Sequence, residues 1–179
     1  MSDITKKYSI ENALRDGTIL GMLWIVTFSV SIAMLKSIGN GDALITSLAT
    51  TALTCFSPIL AYKLAVKHRN SECNGTISYV EAWVHIFVMY SCAILLSSIA
   101  QFIFYAYIDP HLFSGLIPEF EKFAAANGME AGNISIFTQT FENMERMSTG
   151  SIILSQASGH FTRDIILTSI LAIAVKKDS

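Results

Sequence analysis

Residues 82–108 read AWVHIFVMYSCAILLSSIAQFIFYAYI, 27 positions without a single Asp, Glu, Lys or Arg. A helix needs about 20 mostly apolar residues to cross the hydrocarbon core of a bilayer. Backbone groups in that core must be satisfied internally, so a run of this kind predicts a membrane-spanning helix. Working outward, three more such runs follow. Gly17–Leu35 is free of charge, as is Ala43–Tyr62. The stretch between Arg146 and Lys176 is broken only by Arg163 and Asp164. The chain therefore reads as one all-α transmembrane domain over residues 1–179, an integral membrane four-helix bundle. Its spans lie at about 17–35, 43–62, 82–108 and 147–175, with a long loop at 109–146. Pro58, near the end of the second span, is expected to kink or locally open that helix.

Composition agrees. Of the 179 residues, 52% are hydrophobic and 15% charged, against about 25% charged in soluble domains. A net charge of −2 gives no basic field for nucleic acid. Cys55, Cys73 and Cys92 are odd in number and scattered, which suits neither a disulfide framework nor a zinc site. No metal and no cofactor is expected. The polar start and the length of the first apolar run argue against a cleaved signal peptide, so the first helix is expected to be retained.

Lys and Arg in the flanks set the orientation. Lys6, Lys7, Arg15, Lys63, Lys67, Arg69, Lys176 and Lys177 flank one face. Lys36, Lys122 and Arg146 flank the other. Both termini are therefore expected in the cytoplasm and loop 109–146 outside. That loop is acidic, and Ile134, Phe137, Phe141 and Met144 share one helical face behind Asn133 as N-cap. The expectation is a solvated acidic loop with one short helix lying on the bundle; a lid over a site is the sharper alternative. The triplets at Asn74 and Asn133 match the glycosylation pattern and are read as unused.

Small residues mark close helix contacts in lipid. Gly17 and Gly21 form such a stripe on span one, and Ser151, Ser155 and Gly159 form another on span four. Span two carries hydroxyls at Thr46, Thr50 and Thr54, with Ser47 and Thr51 beside them, which suggests a face turned to protein or a cavity.

The charged pair in span four is the strongest functional signal. Eleven residues separate Asp164 from Lys176, about 18 Å of helix, so Arg163 and Asp164 lie near the midplane. Each costs about 2.5–3.5 kcal/mol there unless compensated. As sequence neighbours they point about 100° apart and are not expected simply to face one another. His160 can reach either. Gln156, His160, Arg163 and Asp164 thus form a candidate intramembrane polar site that binds an anion, moves a proton or fixes helix packing. The acidic partner expected for Arg163 is Asp164, of this or a neighbouring subunit. A secondary candidate is Glu81 with His85, one turn apart, a carboxylate holding a histidine.

Three blocks carry a resemblance. NGTISYVEAW (Asn74–Trp83), FIFYAYIDP (Phe102–Pro110) and ALRDGTILGML (Ala13–Leu23) resemble a family of small bacterial membrane proteins, domain of unknown function 4199. The resemblance implies a four-span protein of the bacterial inner membrane without established activity. It also implies an accessory role beside lipid-carrier glycosyltransferases. The family's last helix is mostly apolar, so Arg163–Asp164 is a departure. Read on their own, Ser78 and Glu81 make a capping box, Tyr79 and Trp83 are interface anchors, and Pro110 stops span three.

The reading favoured is an accessory or interaction subunit of a membrane complex, in contact with the lipid bilayer and with a membrane-protein partner or a second copy of itself. Two alternatives remain: a small oligomeric transporter using the span-four site, and a lipid-headgroup enzyme using Glu81 and His85. The topology is testable. A reporter fluorescent only in the cytoplasm should be bright when fused after Ser179 and dark when inserted at Asn127. The reverse pattern would invert the orientation.

Overall fold

The computed structural model describes residues 10–37 and 43–177, and side chains from Ser47 onward in the second helix. Lys6 and Lys7, used in the orientation argument, and the Thr46 side chain lie outside them. Among the described residues there are six α-helices: α1 Ile10–Lys36, α2 Ala43–Glu72, α3 Tyr79–Ile103, α4 Leu112–Ala126, α5 Ala131–Arg146 and α6 Thr149–Val175. A π-turn at Phe104–Ile108 extends α3. The helices α1, α2, α3 with its π-turn, and α6 are each long and apolar enough to cross a membrane. The chain is a multi-pass membrane protein.

The side chains are distributed as a bilayer demands. Leu95, Leu154 and Ile173 are each about two-thirds exposed on the outer surface, while Asp16, His68, His85, Asp164 and Thr168 are buried. In lipid the outer face needs no polarity, and ionisable groups must turn inward. The helices also outrun the charge-free windows, because Arg15, Asp16, Lys63 and His68 continue the same helices.

The α3 helix is the centre of the bundle, packed on α1 and α6, with α2 laid mainly along α1. The contact of α1 with α3 depends on the glycine stripe. A Cβ at Gly17 would come within 2.6 Å of the Met89 carbonyl oxygen and of Cys92 Cβ, and one at Gly21 within 2.9 Å of Leu96 Cδ2. The stripe on α6 behaves differently. Nothing lies within 4 Å of a Cβ at Gly159, and Ser151 and Ser155 are exposed, so this face packs against nothing in the described chain.

The helix ends are fixed by identifiable bonds. The capping box expected at α3 is present: Ser78 Oγ accepts from the Glu81 N–H, and Glu81 Oε2 accepts from the Ser78 N–H at 2.9 Å. The last carbonyls of α6 are caught from α2, where Arg69 Nη1 donates to the Val175 oxygen at 2.9 Å. Ile77 and Lys177 exchange both backbone bonds and hold the chain end to the α2–α3 loop. At the opposite face Lys36 pairs with Asp109 at 2.6 Å. Pro58 lies inside α2, which continues through it without a break in the helix.

Two expectations are corrected between α3 and α6. The segment holds two helices rather than a loop with one. The α4 helix buries Leu112, Leu116, Phe120 and Ala124 at steps of four, a stripe interrupted by Glu119, Glu121 and the internal Pro118. Asn133 is not the N-cap of α5; the helix is capped at Glu130. Gly128, at φ 65°, turns the chain sharply after α4, so α5 begins three residues sooner than the Asn133 cap implied. The expected apolar face of α5 does meet protein: Phe137 and Phe141 pack on Phe120, and Phe141 and Met144 pack against the buried cluster that includes Tyr105, Leu112 and Leu116. The hairpin is clasped by Glu145, whose carboxylate lies 3.0 Å from His111 Nδ1 and accepts from the N–H and hydroxyl of Ser114.

Two outcomes follow. Gly17→Ala should destabilise by about 1–3 kcal/mol through overpacking against fixed backbone, whereas Gly159→Ala should stay within about 0.5 kcal/mol; thermal unfolding in detergent reads both. The bond from His111, aided by those from Ser114, holds the Glu145 carboxyl below the ordinary glutamate range. A carboxyl lowered in the folded state stabilises above its unfolded value of about 4.3 and loses that contribution as pH falls through its folded value. The Ser114 amide resonance should therefore shift in acid below pH about 4, and should lose that titration in Glu145→Gln.

Candidate intramembrane site

A half-enclosed cavity of about 550 Å³ opens between α1, α2, α3 and α6, on the side of the bundle that carries α4 and α5. Its wall is mostly apolar: Phe28, Ile32, Leu53, Pro58 and Leu167 contribute. Several hydroxyls on it are self-satisfied. Thr27, Ser31 and Thr54 return their protons to carbonyls four residues back on their own helices. The polar groups left to a guest are concentrated on α6 and α3, where Gln156, His160, Arg163 and Gln101 line the space.

Local helix geometry explains that grouping. Gln156, His160 and Arg163 fall at steps of four and three, hence on one face of α6. The floor is built around Trp24 of α1. Its Nε1–H donates to Ser57 Oγ of α2 at 2.7 Å. The His160 imidazole stacks on its ring, with centroids 4.9 Å apart, and the Arg163 guanidinium carbon stands 5.6 Å from the ring centroid. One indole thus joins three spans. An Arg beside an aromatic face is attracted by the ring quadrupole, more strongly when desolvated.

Arg163 Nε donates to Asp164 Oδ1 at 2.9 Å, and Nη2 donates to His160 Nδ1 at 2.8 Å. The pairing with Asp164 is therefore within the chain, although the two residues leave the helix on different faces. The long arginine stem folds back across the turn and closes the gap. Arginine only donates, so His160 Nδ1 must carry a lone pair and the neutral ring holds its proton on Nε2. The Arg163–Asp164 pair adds no net charge to the span, and their mutual attraction offsets part of the cost of placing two ions at that depth. The Arg163 side chain remains 45% exposed while that of Asp164 is 3% exposed. The remaining Nη hydrogens of Arg163 are thus offered to the cavity.

The secondary candidate is rearranged. Glu81 serves the α3 cap, and the carboxylate beside His85 is Asp16 of α1, with His85 Nε2 and Asp16 Oδ2 3.4 Å apart. His85 stacks on His68 of α2, with centroids 3.9 Å apart and rings within 10° of parallel. His68 Nε2 lies 3.7 Å from Cys73 Sγ. This buried Asp16–His85–His68–Cys73 cluster, toward the face of the termini, was missed by sequence reasoning. The only signal was that Asp16 stands beside the Gly17 stripe, which seats it against α3. Parallel imidazoles do not converge their lone pairs, and among the described residues no set of three or more His, Cys, Asp or Glu side chains is placed to hold a metal ion.

A family model described as Protein of unknown function (DUF4199) matches residues 15–177. No curated protein and no solved structure matches the chain.

Proposed function

The chain belongs to this family of unknown function, and we propose that it is a membrane binding protein, a carrier or the ligand-binding subunit of a complex, for an amphiphile with an anionic head group. The observation that supports this reading is the cavity itself, which sets a half-exposed guanidinium on the floor of an apolar space of about 550 Å³. Ligand pockets commonly span about 300–1,000 Å³ with a few convergent polar groups. A chain of methylenes gains from the apolar wall, and an anionic head group gains charge-assisted hydrogen bonds from Arg163 that a neutral one does not. Bacterial inner-membrane residence, with the termini in the cytoplasm, is part of the proposal.

An accessory role within a larger complex is favoured by a separate observation. The Ser151, Ser155 and Gly159 face of α6 is open and unpacked within the chain, and small residues are what let a foreign helix approach closely. The lipid-headgroup enzyme gains no support, since Glu81 serves the α3 cap and the carboxylate beside His85 is Asp16.

Decanesulfonate, charged at all working pH values, is a suitable probe. Tryptophan fluorescence of the reconstituted protein should report saturable binding, because Trp24 is on the cavity floor. Losing hydrogen bonds to a charged group costs about 1.5–3 kcal/mol, so Arg163→Gln should weaken binding by about 10- to 100-fold. Equal affinity in the variant would sink the reading.

A further inference from the structure

Asp164 has two oxygens in different surroundings. Oδ1 is held by Arg163, while Oδ2 is buried and has no hydrogen-bond partner in the protein. The Tyr90 hydroxyl of α3 and the Thr168 hydroxyl of α6 are in the same condition. Tyr90 is 2% exposed and Thr168 0%. All three side chains line one small space of about 10 Å³ between α3 and α6. That is close to the smallest space able to hold a water molecule, and a water there would have enough polar neighbours. Buried polar atoms without partners are few in native proteins, and three around one void call for a chemical reason.

We propose that Asp164 is a proton acceptor coupled to occupancy of the cavity. An anionic head group that engages Arg163 draws the guanidinium away from Oδ1, and the carboxylate takes up one proton on Oδ2. The acid hydrogen is received by the hydroxyl oxygen of Tyr90 or Thr168, directly or through one water in the void. The proposal rests on the binding reading above.

The charge balance requires such a step. In the empty site Arg163 and Asp164 neutralise one another. Once the head group claims Arg163, an ionised Asp164 would be a buried, uncompensated charge, which is costly enough that such groups neutralise instead. A bound metal cation is disfavoured by the same count, because Arg163 already supplies a positive charge 2.9 Å away. Among the described residues the titratable groups near Asp164 are few: Arg163 on α6 bonds it, Tyr90 on α3 shares its void, and His160 stands behind Arg163. Across the larger cavity α1 presents Trp24 and α2 presents Ser57, neither of which titrates in this range. His85 and Asp16 lie further along toward the termini, beyond Ile86 and Met89. His160 is the rival acceptor, since its Nδ1 is released when Arg163 moves.

Binding of decanesulfonate to the reconstituted full chain is followed in weak buffer with a pH indicator. The expected result is uptake approaching one proton per ligand bound, with affinity rising as pH falls, by at most about tenfold per unit. Asp164→Asn should bind without uptake and without that pH dependence. Thr168→Val and Tyr90→Phe, which remove acceptor oxygens, should each weaken the coupling. Should Asp164→Asn not fold, the infrared difference spectrum of the unaltered protein serves instead: a protonated carboxyl band should appear on adding the probe and shift in D2O. Binding with no proton uptake would overturn the coupling and leave the binding reading standing. Uptake that survives in Asp164→Asn but is lost in His160→Gln would assign the proton to His160 and overturn the proposal. Absence of binding altogether would remove both.

Discussion

The structure depends on keeping one guanidinium satisfied at the middle of a membrane-spanning helix. Among the described residues Arg163 has no acidic partner on another span, so the bonds it makes are local, to Asp164 and His160, with the Trp24 ring beside it. Each requirement constrains a further element. Holding Trp24 in place takes the Ser57 hydroxyl on α2, and bringing α1 close enough takes Gly17 and Gly21 against α3. The small residues of span one are thus the remote support of a charge on span four. The α1 and α3 helices accordingly make the most intimate contact in the bundle, while α6 packs on α3 and scarcely meets α1, leaving the space into which Arg163 projects.

Sequence patterning makes the architecture legible. The four spans follow from charge-free runs, because lipid imposes that composition directly, and the cap at Ser78 and Glu81 follows from local backbone chemistry. The helices α4 and α5 are harder. They are too short and polar to be marked by a charge-free run, they pack on each other, and the α4 stripe at Leu112, Leu116 and Phe120 is diluted by acidic residues and by Pro118. The polar face of α6 is legible for the same reason as the spans: three side chains at helical spacing share a face whatever the tertiary fold.

What local spacing does not encode is which helix stands opposite. Glu81 and His85 share a helix turn and look paired, but the carboxylate that meets His85 arrives from Asp16, nearly seventy positions earlier in the chain. His68 comes from a third helix. Such clusters are fixed by packing partners, and the glycine stripe beside Asp16 announces only that something approaches, not what. The same holds for Trp24, which reads as an ordinary apolar residue until Ser57, His160 and Arg163 are seen around it.

The two polar clusters divide the bundle in a way that bears on access. The cavity with Arg163 opens on the half that carries α4 and α5. The Asp16–His85–His68–Cys73 cluster occupies the other half. Between them Leu20, Ile86, Met89 and Ala172 are fully buried and belong to one continuous apolar core. Among the described residues this close-packed aliphatic layer separates Arg163 from the Asp16 cluster, and packing of that density disfavours a file of water across it. The contact between α3 and α6, where Asp164, Tyr90 and Thr168 meet, gathers three of the unsatisfied buried hydroxyl and carboxyl groups on the cavity's side of that core.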